Sequence, residues 1–321
     1  MISRAVKLPK IKLKAEVPEE LKAELGQTPW GKVLSVTPVV LTVIATMLAG
    51  LASSEMTRAQ YERSLAAQRQ SKSGDQWNFF QGKRLRGVML RTTLDSLAVT
   101  SGTKQLDPAA LRAALAGTSL IAGLDDTVGQ QALAALCRGA LPAAAARPVL
   151  PSAVQATLAA LEASKSDEEV ARLIVGIRGA VLDGALREMQ AHALAVDAAL
   201  QTVTQVIDSW EKHLAARVDS PLRRDFVSAR MNYHALRYDA EARVNQFIAE
   251  LFELQVRSSN LAAERHHRRS SRFFYGMLAA QLGVIVSTLA MAAQRRNLLW
   301  SIAAAAGTVA LAFTVYVLLF V

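Results

Sequence analysis

Three long runs without a charged side chain limit what this chain can become. Residues 33–54 lie between Lys32 and Glu55, residues 273–294 between Arg272 and Arg295, and residues 297–321 follow Arg296. Each run exceeds 20 residues. At about 1.5 Å of rise per residue, a helix of that length crosses a hydrocarbon core of roughly 30 Å. A helix on the surface of a water-soluble domain turns one face to solvent and carries charges there. These runs have no such face, so three membrane-spanning helices are expected. Gly50, Leu51 and Ala52 also read as a signal-peptidase site, but the run is too long for a signal peptide and 32 residues precede it.

The remaining sequence gives the organisation around the spans. Residues 1–32 form a basic tail, with Lys7, Lys10, Lys12 and Lys14 interleaved with Leu8, Ile11 and Leu13. That pattern suits either contact with anionic lipid or a tail that only sets topology. Residues 55–272 form one large extramembrane region. Spans two and three are joined only by Gln294, Arg295, Arg296 and Asn297, which makes them a hairpin with Trp300 as an interface anchor. Small residues at four-residue spacing (Ala279, Gly283 and Ser287, then Ala303 and Gly307) suit close helix packing. The tail and the hairpin loop are basic, and short basic loops stay in the cytoplasm. The expected orientation has a cytoplasmic N-terminus and the large domain outside the cytoplasm. Arg265, Arg268, Arg269 and Arg272 argue the other way.

Residues 55–272 hold 28 Lys and Arg against 23 Asp and Glu, a mixed and solvated balance within a chain of net charge +10. The fold class expected is an all-α membrane protein, its extramembrane domain either coiled-coil-like or a bundle. From Glu55 to about Ser101 proline is absent, and Tyr61, Leu65, Phe80, Leu85, Val88 and Leu97 suggest one apolar stripe on a helix continuing the first span. Gly74, Gly82 and Gly87 weaken that helix. Residues 102–166 are Ala-rich and punctuated by Gly and Pro, as in a cluster of short helices. Asp107 before Pro108 is an N-cap, and Ser152 with Gln155 and Ser166 with Glu169 fit capping boxes. Farther on, Val196, Leu200, Val203, Ile207, Trp210 and Leu214 step by four and three. A second stripe runs Leu222, Phe226, Ala229, Tyr233, Leu236 and Ala240, and continues after a stutter through Val244, Phe247, Leu251, Leu254 and Leu261. Ser220 and Pro221 mark the start of the helix bearing it, which should run on into the second span.

Little in the sequence points to catalysis. His192, His213 and His234 lie 21 residues apart, about 31 Å along a continuous helix, and cannot converge on one ion through it. Adjacent His266 and His267 point in different directions. Neither a metal nor a cofactor is expected. Asp125 and Asp126 read better as a helix start than as paired catalytic carboxylates. Cys137 reads as core filler and, being the sole cysteine, excludes an intramolecular disulfide. No phosphate loop, nucleophile elbow or metalloprotease motif occurs, so an enzyme is not expected. Trp77, Phe79 and Phe80 beside Lys83, Arg84 and Arg86 invite a nucleic-acid reading. A helix with one packing face and one charged face explains them better.

The stretch Ser73-Gly74-Asp75-Gln76-Trp77-Asn78-Phe79-Phe80-Gln81-Gly82-Lys83-Arg84 resembles the signature of the bacterial membrane family labelled domain of unknown function 4337. The lead-in Glu264-Arg265-His266-His267-Arg268 and the basic-hinged hairpin resemble the same family. The similarity covers roughly residues 35–95 and 225–321, with the Ala-rich segment as excess. It implies three spans and a helical domain in a bacterial envelope, which makes the expected location of the large domain the periplasmic side of an inner membrane, and it implies no reaction. Trp77, Phe80, Gln81 and Lys83 are the candidate interaction or packing cluster on one helix face. The function expected is a membrane-anchored scaffold or interaction protein, homo-oligomeric or bound to a protein partner through its stripes, with the bilayer as its other partner and no nucleic acid. The alternative is an accessory subunit of a pore or transport assembly.

Overall fold

A computed structural model describes residues 29–143, 146–215, 221–293 and 296–320. Residues 1–28 of the basic tail, Ser220, Gln294 and Arg295 lie outside these residues. The described residues form nine α-helices and no strand: α1 (Pro29–Ser101), α2 (Pro108–Leu115), α3 (Leu120–Asp125), α4 (Thr127–Arg138), α5 (Ser152–Glu162), α6 (Asp167–Val175), α7 (Gly179–Ala215), α8 (Pro221–Ala292) and α9 (Arg296–Phe320). Three of them, α1, α8 and α9, are long and apolar enough to cross a membrane. As the sequence suggests, α1 is unbroken through Gly74, Gly82 and Gly87, and α8 begins at Pro221.

The chain divides into two compact units. Of the described residues, one holds those up to Gln60 and those from Ala263 on, and the other holds those between Tyr61 and Ala262.

In the first unit Ala45, Leu48, Ala52, Phe273, Ala280, Ala310 and Val317 form the core. Lipid is as apolar as these side chains, so close backbone approach and hydrogen bonds must hold the helices together. Leu41 sits in a notch made by two of the expected small residues. A Cβ on Gly307 would lie 2.5 Å from the Leu41 Cδ2, and one on Gly283 3.1 Å from its Cδ1. Ser270 Oγ donates to the Ala52 carbonyl at 2.8 Å, and Trp300 Nε1 donates to Thr37 Oγ1 at 3.0 Å. His266 Nδ1 lies 2.6 Å from Glu55 Oε2.

In the second unit α8 pairs with α1 on one side and α7 on the other, antiparallel to each. Pairings between Ser73 and Ala249 and between Arg91 and Asp239 set the first register. Pairings between Asp183 and Gln255 and between Thr204 and Tyr233 set the second. Two cores flank this layer. One collects α5, α6, the first half of α7 and Ile248–Leu254. The other collects α2–α4, the second half of α7, Phe226 and Tyr233. Every residue of the Val196–Leu214 stripe is buried, as its spacing predicts. In the following stripe Phe226, Tyr233, Leu251 and Leu254 are buried and the rest partly so.

The α1 stripe is different from the expected one. Tyr61, Leu85 and Val88 are exposed. The buried positions are small and seven residues apart: Ala59, Ala66, Ser73 and Gly87, with half-buried Phe80 keeping the period. On α8, Ala235, Ala242, Ala249, Val256 and Ala263 are buried at the same spacing. Small residues let two backbones approach where large ones would hold them apart. A Cβ on Gly87 would lie 3.5 Å from the Ala235 carbonyl oxygen.

The short helices start where local chemistry dictates. Asp107 Oδ1 accepts from Ala109 N at 2.9 Å, and Ser166 Oγ accepts from Glu169 N at 3.3 Å. Ser152 does not cap. Pro151 holds the N-cap position, Ser152 becomes the first helical residue, and Gln155 Nε2 donates to the Leu150 carbonyl instead.

Candidate functional site

Three members of the expected Trp77–Lys83 cluster face α8, and the fourth does not. Trp77 Nε1 donates to Glu253 Oε1 at 3.0 Å, and its ring meets Phe80 edge-on at 5.4 Å between centroids. Lys83 Nζ pairs with Glu241 Oε2. Gln81 is exposed on another side of α1. The contact is centred on Ser73, Phe80 and Gly87, and Gln81 is rotated about 100° from Phe80, whereas Gln76 is rotated only about 40° and takes an inward position.

Glu241 is the hub of the site and is only 6% exposed. Its other oxygen, Oε1, accepts from Arg237 Nε at 2.6 Å. Arg237 Nη1 then donates to Thr204 Oγ1 on α7 at 3.0 Å. The Thr204 hydroxyl lies 2.9 Å from that of Tyr233, which also donates to the Leu200 carbonyl at 3.0 Å. One continuous path of charge and hydrogen bonds therefore joins α1, α8 and α7. A buried carboxylate is tolerable because two cations offset its loss of water.

Titration in the site follows its burial. Burial pushes the Tyr233 phenol above its ordinary range, against the hydrogen bond from Thr204. Burial also holds the His234 imidazole below its ordinary value, and the neighbouring cations Arg230 and Arg237 add to that. For Arg237, burial works against the cation, but Glu241 outweighs it and the pKa rises.

Beside the network lies a cleft of about 460 Å³, lined among others by Gln76, Lys83, Gln190, Asp197, Glu241 and Asn245. The Gln76 Oε1 is buried without a hydrogen-bond partner. Lys83 and Glu241, two of the charged groups lining the cleft, are spent on each other, which suits holding helices in register. Asp125 and Asp126 are likewise engaged. Asp125 Oδ1 accepts from Arg112 at 2.7 Å, and Asp126 Oδ1 caps α4 by accepting from Gly129 N at 2.6 Å. Among the described residues, no group of three His, Cys, Asp or Glu side chains is placed to hold a metal ion.

Sequence reading missed Glu241, Arg237 and Thr204, because their roles depend on which residues meet across two antiparallel pairings. The seven-residue period of small side chains was available in the sequence and would have marked the faces on which α1 and α8 meet.

Fold and site together define an all-α protein with three helices long and apolar enough to cross a membrane and a helical unit held by an interhelical polar network. Residues 30–120 match the model of a family described as Domain of unknown function (DUF4337). The match takes in the Trp77–Lys83 stretch and does not extend to Glu264–Arg268 or the hairpin. No curated protein and no solved structure matches the chain.

Proposed function

We propose that this chain is a membrane-anchored helical scaffold of the bacterial inner membrane that docks other protein through an exposed face of α1 and carries out no reaction of its own. The observation behind this reading is the division of α1 into two faces. Trp77, Phe80 and Lys83 pack toward α8. On another face Gln81 precedes Leu85, Val88 and Met89, exposed by 59%, 48% and 60%. Three large apolar side chains at helical spacing, exposed to water, mark a contact surface. The seven-residue period of small residues on α1 and α8 supports reading that pair as an antiparallel coiled coil, a rigid rail for the outer face. A second copy of the chain is the proposed occupant, because like helices bury like patches in a two-fold contact.

The test is photo-crosslinking of the full chain in its native membrane, with the reactive residue at Leu85 or Met89. A crosslinked product of twice the chain mass is expected from these sites and not from the exposed polar position Lys72. A chain that is monomeric in mild detergent and yields no crosslinked product from either site overturns the reading.

A further inference from the structure

Four arginines precede the second apolar run in one pattern: Arg265, Arg268, Arg269 and Arg272. Steps of three, four and seven put all four on one face of α8. Arg265 and Arg268 are exposed, and Arg269 and Arg272 are half-buried. Among the described residues only Arg268 has an acidic partner, Glu264 at 2.9 Å, so the face keeps most of its positive charge. The Arg269 Nε is shielded from solvent and makes no hydrogen bond. A buried guanidinium donor without an acceptor is costly, and an anion arriving beside it removes that cost.

The surroundings indicate which anion. The Arg272 guanidinium lies over the Tyr316 ring, 5.8 Å from its centroid. Tyr316 is the middle of an aromatic ladder on α9, with ring centroids 6.2 Å from Phe313 and 5.6 Å from Phe320. Aromatic side chains of this kind gather at the level of lipid headgroups. The arginine face thus begins where an apolar span ends and an aromatic girdle lies.

We propose that Arg265, Arg268, Arg269 and Arg272 form a binding site for the phosphate headgroups of anionic phospholipids. Guanidinium offers paired donors that match phosphate oxygens, and four on one face engage more than one headgroup. The lipid tails lie along the exposed apolar side chains Phe274, Tyr275 and Leu278. This inference rests on the reading of α8 and α9 as membrane spans.

The full chain is reconstituted in nanodiscs of phosphatidylcholine with an equal share of phosphatidylglycerol, stripped gently with detergent, and weighed with its retained lipids by native mass spectrometry. Retained phosphatidylglycerol should exceed phosphatidylcholine at least roughly tenfold, since each cation near an anionic surface contributes about a factor of five. Replacing the four arginines by glutamine (R265Q, R268Q, R269Q, R272Q) should abolish the excess. Replacing four exposed arginines elsewhere (R138Q, R172Q, R178Q, R187Q) should leave it. Equal retention of the two lipids by the unaltered chain overturns the proposal without any variant. Displacement of the retained lipid by millimolar inorganic phosphate assigns the site to free phosphate and also overturns it. A chain that does not enter nanodiscs at all overturns instead the reading of the spans.

Discussion

At the scale of single residues, Glu241 decides most. Removing it in a Glu241→Ala variant leaves Lys83 and Arg237 facing each other without the carboxylate that both contact. Breaking a buried pair costs about 3–5 kcal/mol, and partial exposure of the two cations places this case near the lower end. Lys83→Ala should cost less, about 1–2 kcal/mol, because Arg237 still neutralises Glu241. Thermal unfolding of the full chain in detergent should rank the two variants in that order, and an equal loss would mean Arg237 contributes nothing. His234 gives the pH dependence. It faces Tyr233 and Tyr238, with Arg230, Arg237, Asp208 and Glu241 nearby, and its pKa is lowered by burial and then by the two arginines. A histidine depressed in the folded state binds fewer protons than the unfolded chain does. Its contribution is therefore complete above the unfolded value near pH ~6.5 and is lost as pH falls through the window below it. The melting temperature should drop on acidification from pH ~7.5 to ~5.5, and less steeply in a His234→Gln variant. Local chemistry made some of these roles readable in advance. A cap needs only its own next few residues, so Asp107, Asp126 and Ser166 were legible. Ser152 misled because a neighbouring proline took its place.

At the scale of elements, the packing of α1, α8 and α9 depends on what is missing from their side chains. A search for large apolar residues finds the α7 stripe and misreads α1, where the contact is built from Ala, Ser and Gly. Hydrophobicity locates a face that excludes water but is nearly blind to a face that lets backbones meet. The consequence is testable in the spans. Gly307→Ala places a methyl 2.5 Å from Leu41 Cδ2, so the leucine must move or the helices must part. Overpacking of this kind costs about 1–3 kcal/mol. The variant should melt earlier in detergent, and adding Leu41→Ala should recover part of the loss by emptying the space the methyl needs. Full additivity of the two losses would show that the notch is not shared. A harsher case lies between α3 and α4, where a Cβ on Gly129 would come within 1.6 Å of the Gly123 carbonyl oxygen. No side-chain adjustment relieves a clash with backbone, so Gly129→Ala should break the α3–α4 junction and lower expression sharply.

At the scale of the whole molecule, the three charge-free runs were the clearest signal in the sequence, because lipid tolerates no isolated charge over some 20 residues. Their direction across the bilayer is a separate question, since the basic tail and the arginine face at Arg265–Arg272 pull opposite ways under the positive-inside rule. If those arginines are held by headgroups of their own leaflet, their pull is offset locally and the short basic segments decide. The region between the first and second spans should then lie outside the cytoplasm. The single native cysteine is a poor reporter of this: Cys137 is only partly exposed, and burial pushes its thiol above the ordinary range, leaving little thiolate to react. A Val149→Cys variant in a Cys137→Ser background presents a thiol where the present side chain is 86% exposed. Intact cells treated with a membrane-impermeant maleimide should label it before lysis, and a cysteine placed at Lys14 in the tail should label only after lysis. The reverse pattern would put residues 55–272 in the cytoplasm, where the arginine face becomes an ordinary inside signal and the proposed scaffold would have to serve cytoplasmic partners.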